Sequence, residues 1–176
     1  MDEVDLTMAQ SYRMNMTESI QKEIELERAK RPTLIKKYNK GCIVVYTIQN
    51  CLVIGIIGFG AASLGTILTA VGIPIALAMD VGAVAAGILT IANSRIGKYL
   101  KTKMNKHEKI RNLAETKLYS ISDHISKAIE DGVISEEEYS LILSQYNDYN
   151  TMKEQIRLKT KNALEEQKNM PDTKTN

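Results

Sequence analysis

The sequence of 176 residues is poor in the residues that build β-sheets, disulfide frameworks and sharp turns. It has no tryptophan, one phenylalanine, three prolines and two cysteines. A β-sandwich would need more aromatic and β-branched residues in its strands. Cys42 and Cys51 lie nine residues apart in one apolar run, so we expect free thiols and no disulfide framework. The composition therefore predicts an all-α protein of about one domain's size.

Charged residues are missing from the middle of the chain. Residues 42–79 contain none, and after the single Asp80 the uncharged stretch continues to Ser94. The whole chain has 23 basic and 21 acidic residues, a balance that points to no polyanion partner. Because a bilayer span needs roughly 20 apolar residues, the central stretch is long enough for two. The acidic start, Met1–Glu3, is unlike a secretory signal, so we expect the apolar stretch to remain in the mature protein.

A reversal of the chain is predicted at residues 72–74. Gly72 accepts left-handed backbone conformations, and Pro74 cannot continue a helix that precedes it. The two arms, Cys51–Val71 and Ile75–Arg95, hold 21 residues each. At 1.5 Å per residue each would be about 31 Å long, close to the thickness of the hydrocarbon core. We therefore predict a transmembrane helical hairpin over residues 42–95, and we favour it over an alternative break at residues 58–60.

Small residues recur every four positions in the second arm, and such rows let helix backbones approach closely within lipid. Nine of the ten glycines lie between Gly41 and Gly97. An interior glycine costs about 1 kcal/mol relative to alanine in a water-soluble helix, so this enrichment favours a lipid-embedded hairpin. The predicted helix-packing residues are Ala78, Gly82, Ala86 and Gly87.

Basic residues flank the apolar stretch on both sides. Positive residues tend to stay on the cytoplasmic side, so two basic flanks favour an even number of spans with both termini in the cytoplasm or a virion interior. The same residues would contact anionic lipid headgroups. Nucleic-acid binding is the competing interpretation, which we do not favour because Tyr99 alone supplies an interleaved aromatic ring. The predicted headgroup contacts are Lys36, Lys37, Lys40, Arg95, Lys98, Lys101 and Lys103.

Two polar side chains of the apolar stretch have alternative interpretations. Asp80 follows the predicted reversal by six residues, so we expect it to lie shallowly in the hydrated interface. A ring of Asp80 lining a pore is the alternative, and it would require several copies of the chain. Cys42 is either a buried thiol, which we favour, or a palmitoylation site beside the preceding lysines.

Residues 96–168 predict a second, amphipathic helical hairpin. Apolar residues recur at three- and four-residue steps in two segments, which is typical of one face of each helix. We expect the helices to pack antiparallel around a connection at residues 131–135, with Gly132 ending the first and Ser135 and Glu138 forming a capping box on the second. The two stripes are Ile110, Leu113, Leu118, Ile121, Ile125, Ala128 and Ile129, and Tyr139, Ile142, Tyr146, Tyr149, Met152 and Ile156.

The remaining segments are shorter. The N-terminal arm, residues 1–41, predicts a charged helix that begins at Thr17 and is interrupted at Pro32. The first dozen residues and the tail, residues 169–176, have no periodicity and are expected to be mobile.

No group of residues supports catalysis, a cofactor or a metal ion. The connection after Asp131 resembles the second half of an EF-hand loop, but Lys127 and Ile129 occupy the places of the first ligands. His107 and His124 have no further zinc ligand at helical spacing. We therefore predict a protein that is not an enzyme.

The C-terminal half also carries a resemblance, in the segments 106–110 (KHEKI), 114–118 (AETKL), 121–128 (ISDHISKA) and 131–139 (DGVISEEEY). Together with the Gly/Ala-rich apolar stretch before them, these segments resemble uncharacterised proteins that are present in many copies in invertebrate genomes and are associated with Polinton or Maverick virus-like elements. The resemblance implies a membrane-associated accessory protein of a mobile element or virus. It transfers no functional residue.

These observations predict an integral membrane protein that presents its C-terminal helical hairpin to a protein partner or to a second copy of the chain. The alternative is a membrane-permeabilising protein, in which a soluble bundle shelters the apolar hairpin until a trigger releases it. A soluble scaffold is the third interpretation. It is disfavoured because the amphipathic stripes look too narrow to cover an apolar hairpin on every side.

Overall fold

The structure, a computed structural model, describes residues 3–67, 73–128 and 133–169, and the side chains of residues 7–58, 81–127 and 133–169. Three helices make up these ranges, apart from residues 133–135: α1 (Glu3–Ile67), α2 (Ile73–Ala128) and α3 (Glu136–Asn169). No strand occurs within the described ranges. The predicted all-α class is confirmed, and α1 and α2 pack together as a hairpin.

Helix α1 is longer than the sequence predicted. It begins at Glu3 and runs through Pro32, so the expected interruption is wrong, and residues 3–12, for which no helix was predicted, belong to α1. Thr17, predicted to start a helix, lies inside α1 and is buried. Pro32 is exposed, so water can satisfy the backbone carbonyl that a proline leaves without an N–H donor four residues back.

The chain reverses between Ile67 and Ile73. Because α1 continues to Ile67, the alternative break at residues 58–60 is wrong. Helix α2 begins at Ile73, so Pro74 belongs to its first turn, where a proline removes no helix hydrogen bond. Gly72 lies outside the described residues.

The chain divides into two compact units, and α1 and α2 contribute residues to both. Unit 1 comprises Met1–Lys36 and Met104–Glu165, and unit 2 comprises Lys37–Lys103 and Glu166–Asn176. The predicted boundaries near residues 41 and 96 followed the start and end of the apolar stretch. Each unit joins segments that are distant in sequence.

Unit 1 is a three-helix core. The buried cluster draws residues from the N-terminal part of α1, from the predicted stripes of α2 and α3, and from Ala114 of α2, which was not on the predicted stripe. Met152, predicted to lie on the α3 stripe, is 41% exposed. The cluster consists of Ile20 and Ile24 of α1, Ala114, Leu118 and Ile121 of α2, and Ile142 and Tyr149 of α3.

The start of α3 is capped as predicted. The Glu138 carboxylate accepts a hydrogen bond from the Ser135 backbone N–H at 2.9 Å, and the Glu138 backbone N–H donates to Ser135 Oγ at 3.2 Å. Arg13 of α1 also holds this connection by donating to the Ile134 carbonyl at 3.2 Å. Gly132, the predicted end of the preceding helix, lies outside the described residues.

The α2 and α3 segments of unit 1 pack against each other, as the two stripes predicted. Lys117 Nζ lies 2.5 Å from Asp148 Oδ2, which joins the two helices at their surface. Beneath this pair, Ile121 and Ile142 belong to the same buried cluster.

Candidate functional site

In unit 2, α1 and α2 approach each other closely at two glycines. A Cβ atom added at Gly41 would lie 3.1 Å from Leu100 Cδ1, and one added at Gly97 would lie 3.1 Å from Val45 Cγ1. The pairing of residue 41 with 100 and of residue 45 with 97 defines an antiparallel register. Small residues at such contacts are typical of helix pairs that pack by close backbone approach.

A hydrogen bond crosses the same contact. Asn93 is buried, and its Nδ2 donates to the backbone carbonyl of Val45 with an N···O distance of 2.6 Å. A polar side chain in apolar surroundings needs such a partner, because no water replaces it there. The hydrogen bond and the Gly97–Val45 contact therefore fix the same register.

The outward surface of unit 2 is apolar. Fourteen large apolar side chains between Ile43 and Tyr99 are each at least 40% exposed. A helix pair in water normally carries polar residues at such positions, and a large exposed apolar surface marks a contact with protein or membrane. We call this set the apolar belt: Ile43, Val44, Tyr46, Ile48, Val53, Ile54 and Ile57 of α1, and Val81, Val84, Ile88, Leu89, Ile91, Ile96 and Tyr99 of α2.

By length and composition, α1 could cross a membrane. The span that qualifies lies within Thr7–Gly58, and only 6% of its most apolar 18 residues are buried. The core helix of a soluble protein would be mostly buried, so the low burial of this stretch is unlike that of a core helix. It is the one such helix among the described residues, which do not include the side chains of residues 59–80, where the two predicted arms meet.

A shallow groove of about 210 Å³ lies in the apolar belt between α1 and α2. Its lining is apolar except for Asn93, whose amide already donates to Val45. The lining residues are Ile48, Leu52, Leu89, Ala92, Asn93 and Ile96.

The two basic flanks of unit 2 lie at the same end of the apolar belt. With Gly41 beside Leu100, the antiparallel register places residues 37–40 at the level of residues 101–103. Asp80 is the one acidic residue in the sequence from residue 37 to residue 103. These segments of α1 and α2 are therefore positive at this end. The end of α3 also reaches it, since Gln167 Nε2 donates to Thr102 at 3.1 Å, and Glu166 of α3 belongs to the same unit.

We call these basic residues the lysine collar: Lys37, Lys40, Lys98, Lys101 and Lys103. The first four are exposed. Lys103 is half-buried, and its Nζ lies 5.5 Å from the centre of the Tyr99 ring. Of the other predicted headgroup contacts, Lys36 is an exposed residue of unit 1, and Arg95 is exposed at the belt side of the collar.

The predicted packing residues of α2 have different surroundings. Ala86 is buried and Gly82 is half-buried. A Cβ added at Gly87 would meet no heavy atom within 4 Å, so the close approach predicted there is not made within the chain. The reason is helical phase, because the contacting face of α2 runs through Ala86, Asn93 and Gly97, and Gly87 is turned about 100° away from Ala86.

Three other predicted positions are only partly described. Asp80 and Ala78 belong to α2, and their side chains lie outside the described residues, as does that of Pro74. The expected depth of Asp80 therefore stays a prediction. Cys42 and Cys51 are free thiols, the first half-buried and the second exposed.

Unit 1 contains a buried polar pair that the sequence did not predict. Arg31 and His107 are 7% and 8% exposed, and Arg31 Nη1 lies 2.9 Å from His107 Nδ1. A guanidinium has only donors, so in this contact Arg31 donates and the imidazole nitrogen accepts. The other arm of the guanidinium, Nη2, donates to the Glu27 carboxylate one turn earlier.

Glu27 is ionised in this pair. Burial alone would raise the pKa of Glu27, but the hydrogen bond from Arg31 and the positive charges of Arg31, Lys153 and Arg157 outweigh it and lower the pKa. Removing one partner of a buried ion pair leaves the other charge uncompensated. Glu27 is thus the anion that allows Arg31 to be buried.

Tyr149 and Lys153 of α3 extend this cluster. Tyr149 is fully buried, and Lys153 Nζ lies 5.0 Å from the centre of its ring. Burial, with a smaller contribution from the negative charge of Glu27, raises the pKa of Tyr149 to about 12. Its hydroxyl has no hydrogen-bond partner among the described residues, nor has Arg31 Nε.

Sequence reasoning missed this cluster because its members belong to charged segments that look solvated. One signal was available on α3. Ile142, Tyr149 and Lys153 recur at helical spacing. Lys153 therefore continues the buried stripe at the position for which Met152 is predicted above. No comparable signal marks Arg31, since its partner His107 lies 76 residues away.

Within the described ranges, no three His, Cys, Asp or Glu side chains converge as a metal site would require. Neither the apolar belt nor the buried polar cluster brings a nucleophile and a base together. The chemistry that these residues support is contact with apolar chains, attraction of anions by the lysine collar and burial of charge.

The chain is similar to one uncharacterised viral protein. It is 28% identical over 152 residues to uncharacterized protein 259R of Invertebrate iridescent virus 6, an alignment that covers 86% of this chain and 48% of the viral protein. The chain thus spans about half the length of that relative. No protein-family model matches the sequence, and no solved structure matches it.

Proposed function

We propose that the protein is a non-enzymatic integral membrane protein whose α1–α2 hairpin crosses the bilayer twice. Both termini lie on the same side, the cytoplasm or a virion interior. Unit 1 is the part that a protein partner, or a second copy of the chain, binds through α2 and α3. The similarity to an iridescent virus protein supports a viral accessory role, and an origin in a Polinton or Maverick element is the narrower form of this proposal.

The observation that carries the proposal is the exposed apolar belt. Burial of apolar surface is worth about 25 cal/mol per Å², so leaving fourteen large apolar side chains in water would be costly. Contact with lipid chains would remove these side chains from water, and with them this cost, without a further protein. In the membrane-permeabilising alternative, a soluble bundle would cover these apolar side chains. Because they are exposed, a constitutive membrane anchor is favoured over that alternative.

The lysine collar supports the orientation. It lies at the end of the belt away from the reversal, where two spans would emerge on the same side of the membrane. Basic residues near the bilayer surface gain about 1 kcal/mol each from anionic headgroups. In this orientation Tyr99, beside Lys103, would lie at the level that interfacial aromatic rings prefer.

Carbonate extraction combined with protease protection tests the proposal. The full chain, tagged at both termini, should stay in the membrane pellet at high pH, and a protease added to one side should remove both tags together. Removal of one tag from each side would contradict the two-span topology. A chain that is soluble without detergent and releases dye from vesicles would favour the permeabilising alternative instead.

Paired substitutions locate the contact with lipid. Ile54→Lys with Ile88→Lys places two charges in the belt, at a cost of up to about 2.5–3.5 kcal/mol per lysine, the value for the bilayer centre, and should release the chain from the membrane. Leu26→Lys with Leu158→Lys changes apolar residues of unit 1 that are also at least half exposed, and it should leave the chain in the pellet. Equal behaviour of the two double variants would show that the belt is not the anchor.

A second pair of variants tests the lysine collar. Replacing Lys37, Lys40, Lys98 and Lys101 by glutamine should abolish any preference for vesicles that contain phosphatidylserine over neutral vesicles. The matched control replaces Lys22, Lys109, Lys159 and Lys161, four exposed lysines of unit 1 that give the same change in net charge. If the control loses the preference as well, overall charge is responsible and not the collar.

A further inference from the structure

The groove in the apolar belt is continued toward the lysine collar along one side of the helix pair. On α2, Leu89, Ile96 and Lys103 are spaced by seven residues, or two helical turns, so they lie on one side of the helix. On α1, Lys37 precedes Ile48 by eleven residues, or three turns. Each wall of the groove therefore leads to a lysine of the collar.

These two lysines lie at the same level and have no carboxylate partner. The antiparallel register of α1 and α2 places Lys37 at the level of Lys103. Within the described part of the chain, neither ammonium group forms an ion pair, and this includes Glu166 of the same unit. Lys103 Nζ lies instead over the Tyr99 ring. The end of the groove nearest the collar is therefore flanked by two positive charges that an anion can neutralise.

The size of the groove suits part of one acyl chain. Pockets for drug-sized molecules have volumes of about 300–1,000 Å³, so a groove of about 210 Å³ is too small for a compact molecule of several rings. Its one polar lining residue, Asn93, already donates its amide hydrogen within the hairpin. The free surface of the groove is therefore apolar.

The distances along the helix also match a phospholipid. At 1.5 Å per residue, the groove begins at Ile96, about 10 Å from Lys103, and reaches Leu89, about 21 Å from Lys103. A bilayer has a headgroup layer of about 5–8 Å on each side and about 15 Å of acyl chain in each leaflet. A lipid whose phosphate lies at the level of Lys103 therefore has its acyl chain at the level of the groove.

We propose that this side of the hairpin binds one anionic glycerophospholipid, with an acyl chain in the groove and its phosphate between Lys37 and Lys103. The site rests on the proposed function, since it requires the hairpin to lie in a bilayer. It differs from general attraction by the collar, because a single lipid is held in one position. Lys98 and Lys101 take no part, since they are turned by about 200° and about 140° from Ile96.

Photolabelling of the full chain in vesicles tests the proposal. Two probes carry a diazirine in the middle of one acyl chain and differ only in their headgroup, phosphatidylserine or phosphatidylcholine. Each is added at the same mole fraction, and the labelled residues are mapped by peptide mass spectrometry. The phosphatidylserine probe should label the groove-lining residues at least about fivefold more strongly, because each basic residue near the surface is worth about fivefold in lipid binding.

Val53 and Ile91 control for depth in the membrane. Both belong to the apolar belt at the level of the groove, and both are turned by about 100° or more from the lining residues of their own helix. Freely exchanging lipids contact them, so they should show a smaller preference for the phosphatidylserine probe. A preference as large at these two residues as in the groove would overturn the proposal, because the collar would then enrich anionic lipid without binding it in one place.

Two double variants locate the headgroup contact. Lys37→Gln with Lys103→Gln should reduce the preference in the groove by about fivefold or more. Lys98→Gln with Lys101→Gln removes the same charge from the same end of the hairpin and should leave most of the preference in place. Equal losses in the two double variants would contradict the proposed position of the phosphate.

A further pair of variants separates this site from membrane anchoring. Ala92→Phe fills the groove with an aromatic ring, whereas Ile91→Phe places one on the adjacent outward surface. Both keep the belt apolar and should stay in the membrane pellet, but only Ala92→Phe should lower groove labelling by the phosphatidylserine probe to the level of the phosphatidylcholine probe. Equal labelling in the two variants would overturn the proposal. An unsubstituted chain that stays in the pellet without preferential labelling of the groove would overturn this site alone, whereas one that leaves the pellet would overturn the proposed function.

Discussion

Asn93 Nδ2 donates a hydrogen bond to the backbone carbonyl of Val45 across 48 residues of sequence. The Val45 side chain also packs closely against the backbone of Gly97. Val45 therefore makes two contacts with α2, a hydrogen bond from Asn93 and a close approach at Gly97. In lipid, where the proposed function places this hairpin, helices gain little from burying apolar surface against each other. The side-chain amide of Asn93 and the absence of a Cβ atom at Gly97 therefore set the register of the hairpin.

Asn93→Ala should destabilise the hairpin by about 1 kcal/mol, because hydrogen bonds between membrane helices contribute on the order of 0.6–2 kcal/mol. The measurement is helicity during titration of detergent-solubilised protein with sodium dodecyl sulfate. Asn50→Ala removes an exposed amide of α1 and should leave the transition within about 0.5 kcal/mol of the unsubstituted protein. An effect of Asn50→Ala equal to that of Asn93→Ala would count against a specific role for the cross-helix bond.

Gly97→Leu should separate the helices, since even a Cβ atom there lies 3.1 Å from Val45 Cγ1. Overpacking of this kind typically costs about 1–3 kcal/mol. Gly87→Leu is the matched control, because a Cβ at Gly87 meets no heavy atom within 4 Å. It should be neutral or stabilising by up to about 1 kcal/mol from helix propensity, measured in the same titration. If Gly87→Leu is the more damaging variant, the described register is wrong.

The sequence predicted the helical class, the apolar hairpin and the capping box because these depend on local composition and spacing. Ser135 and Glu138 are three residues apart, and a charge-free stretch is visible without knowing its partner. Pro32 misled the prediction because a proline interrupts an isolated helix more strongly than one held by packing on both sides of it.

The contacts that join distant segments could not be predicted. Ile20 and Ile24 enter the core of unit 1 only because α1 continues through Pro32. The four-residue spacing of small residues predicted a close helix contact at Gly87, whereas the structure has that contact at Gly97, which lies on the face of α2 that meets α1. Phase depends on which face of α2 meets α1, and a stretch that is apolar all round carries no information about that face.

Glu27→Gln should destabilise unit 1 by about 2–3 kcal/mol, because it leaves the buried guanidinium of Arg31 without its anion. The amide of glutamine still accepts a hydrogen bond, which keeps the cost below that of alanine. Thermal unfolding followed by circular dichroism measures the change. Glu25→Gln alters an exposed carboxylate two residues away and should shift the transition little. Equal shifts for the two variants would argue against a buried ion pair.

Ser135→Ala should weaken the start of α3 by about 1 kcal/mol, because it removes the oxygen that accepts the Glu138 backbone N–H. Amide exchange of the first turn of α3 should accelerate more than exchange at the centre of the helix. Ser140→Ala, an exposed position inside the same helix, is the control and should be neutral or slightly stabilising. Uniform acceleration along α3 would mean that the capping box does not act locally.

Tyr149 should make unit 1 sensitive to alkali. Burial raises its pKa to about 12, whereas a tyrosine in an unfolded chain ionises near pH 10. The stability contributed by the neutral hydroxyl is therefore complete below about pH 10 and is lost as the pH rises through about 12, a total of roughly 3 kcal/mol. Tyr149→Phe keeps the ring beneath Lys153 and should remove most of this loss of stability. The control, Tyr119→Phe, changes a residue that is 80% exposed and should leave the loss of stability unchanged. Tyr146, whose pKa is also raised, by burial and by its hydrogen bond to Glu23, accounts for a smaller remainder. Thermal unfolding between about pH 9 and about pH 12 measures the effect, and a loss of stability that Tyr149→Phe leaves intact would place its origin elsewhere.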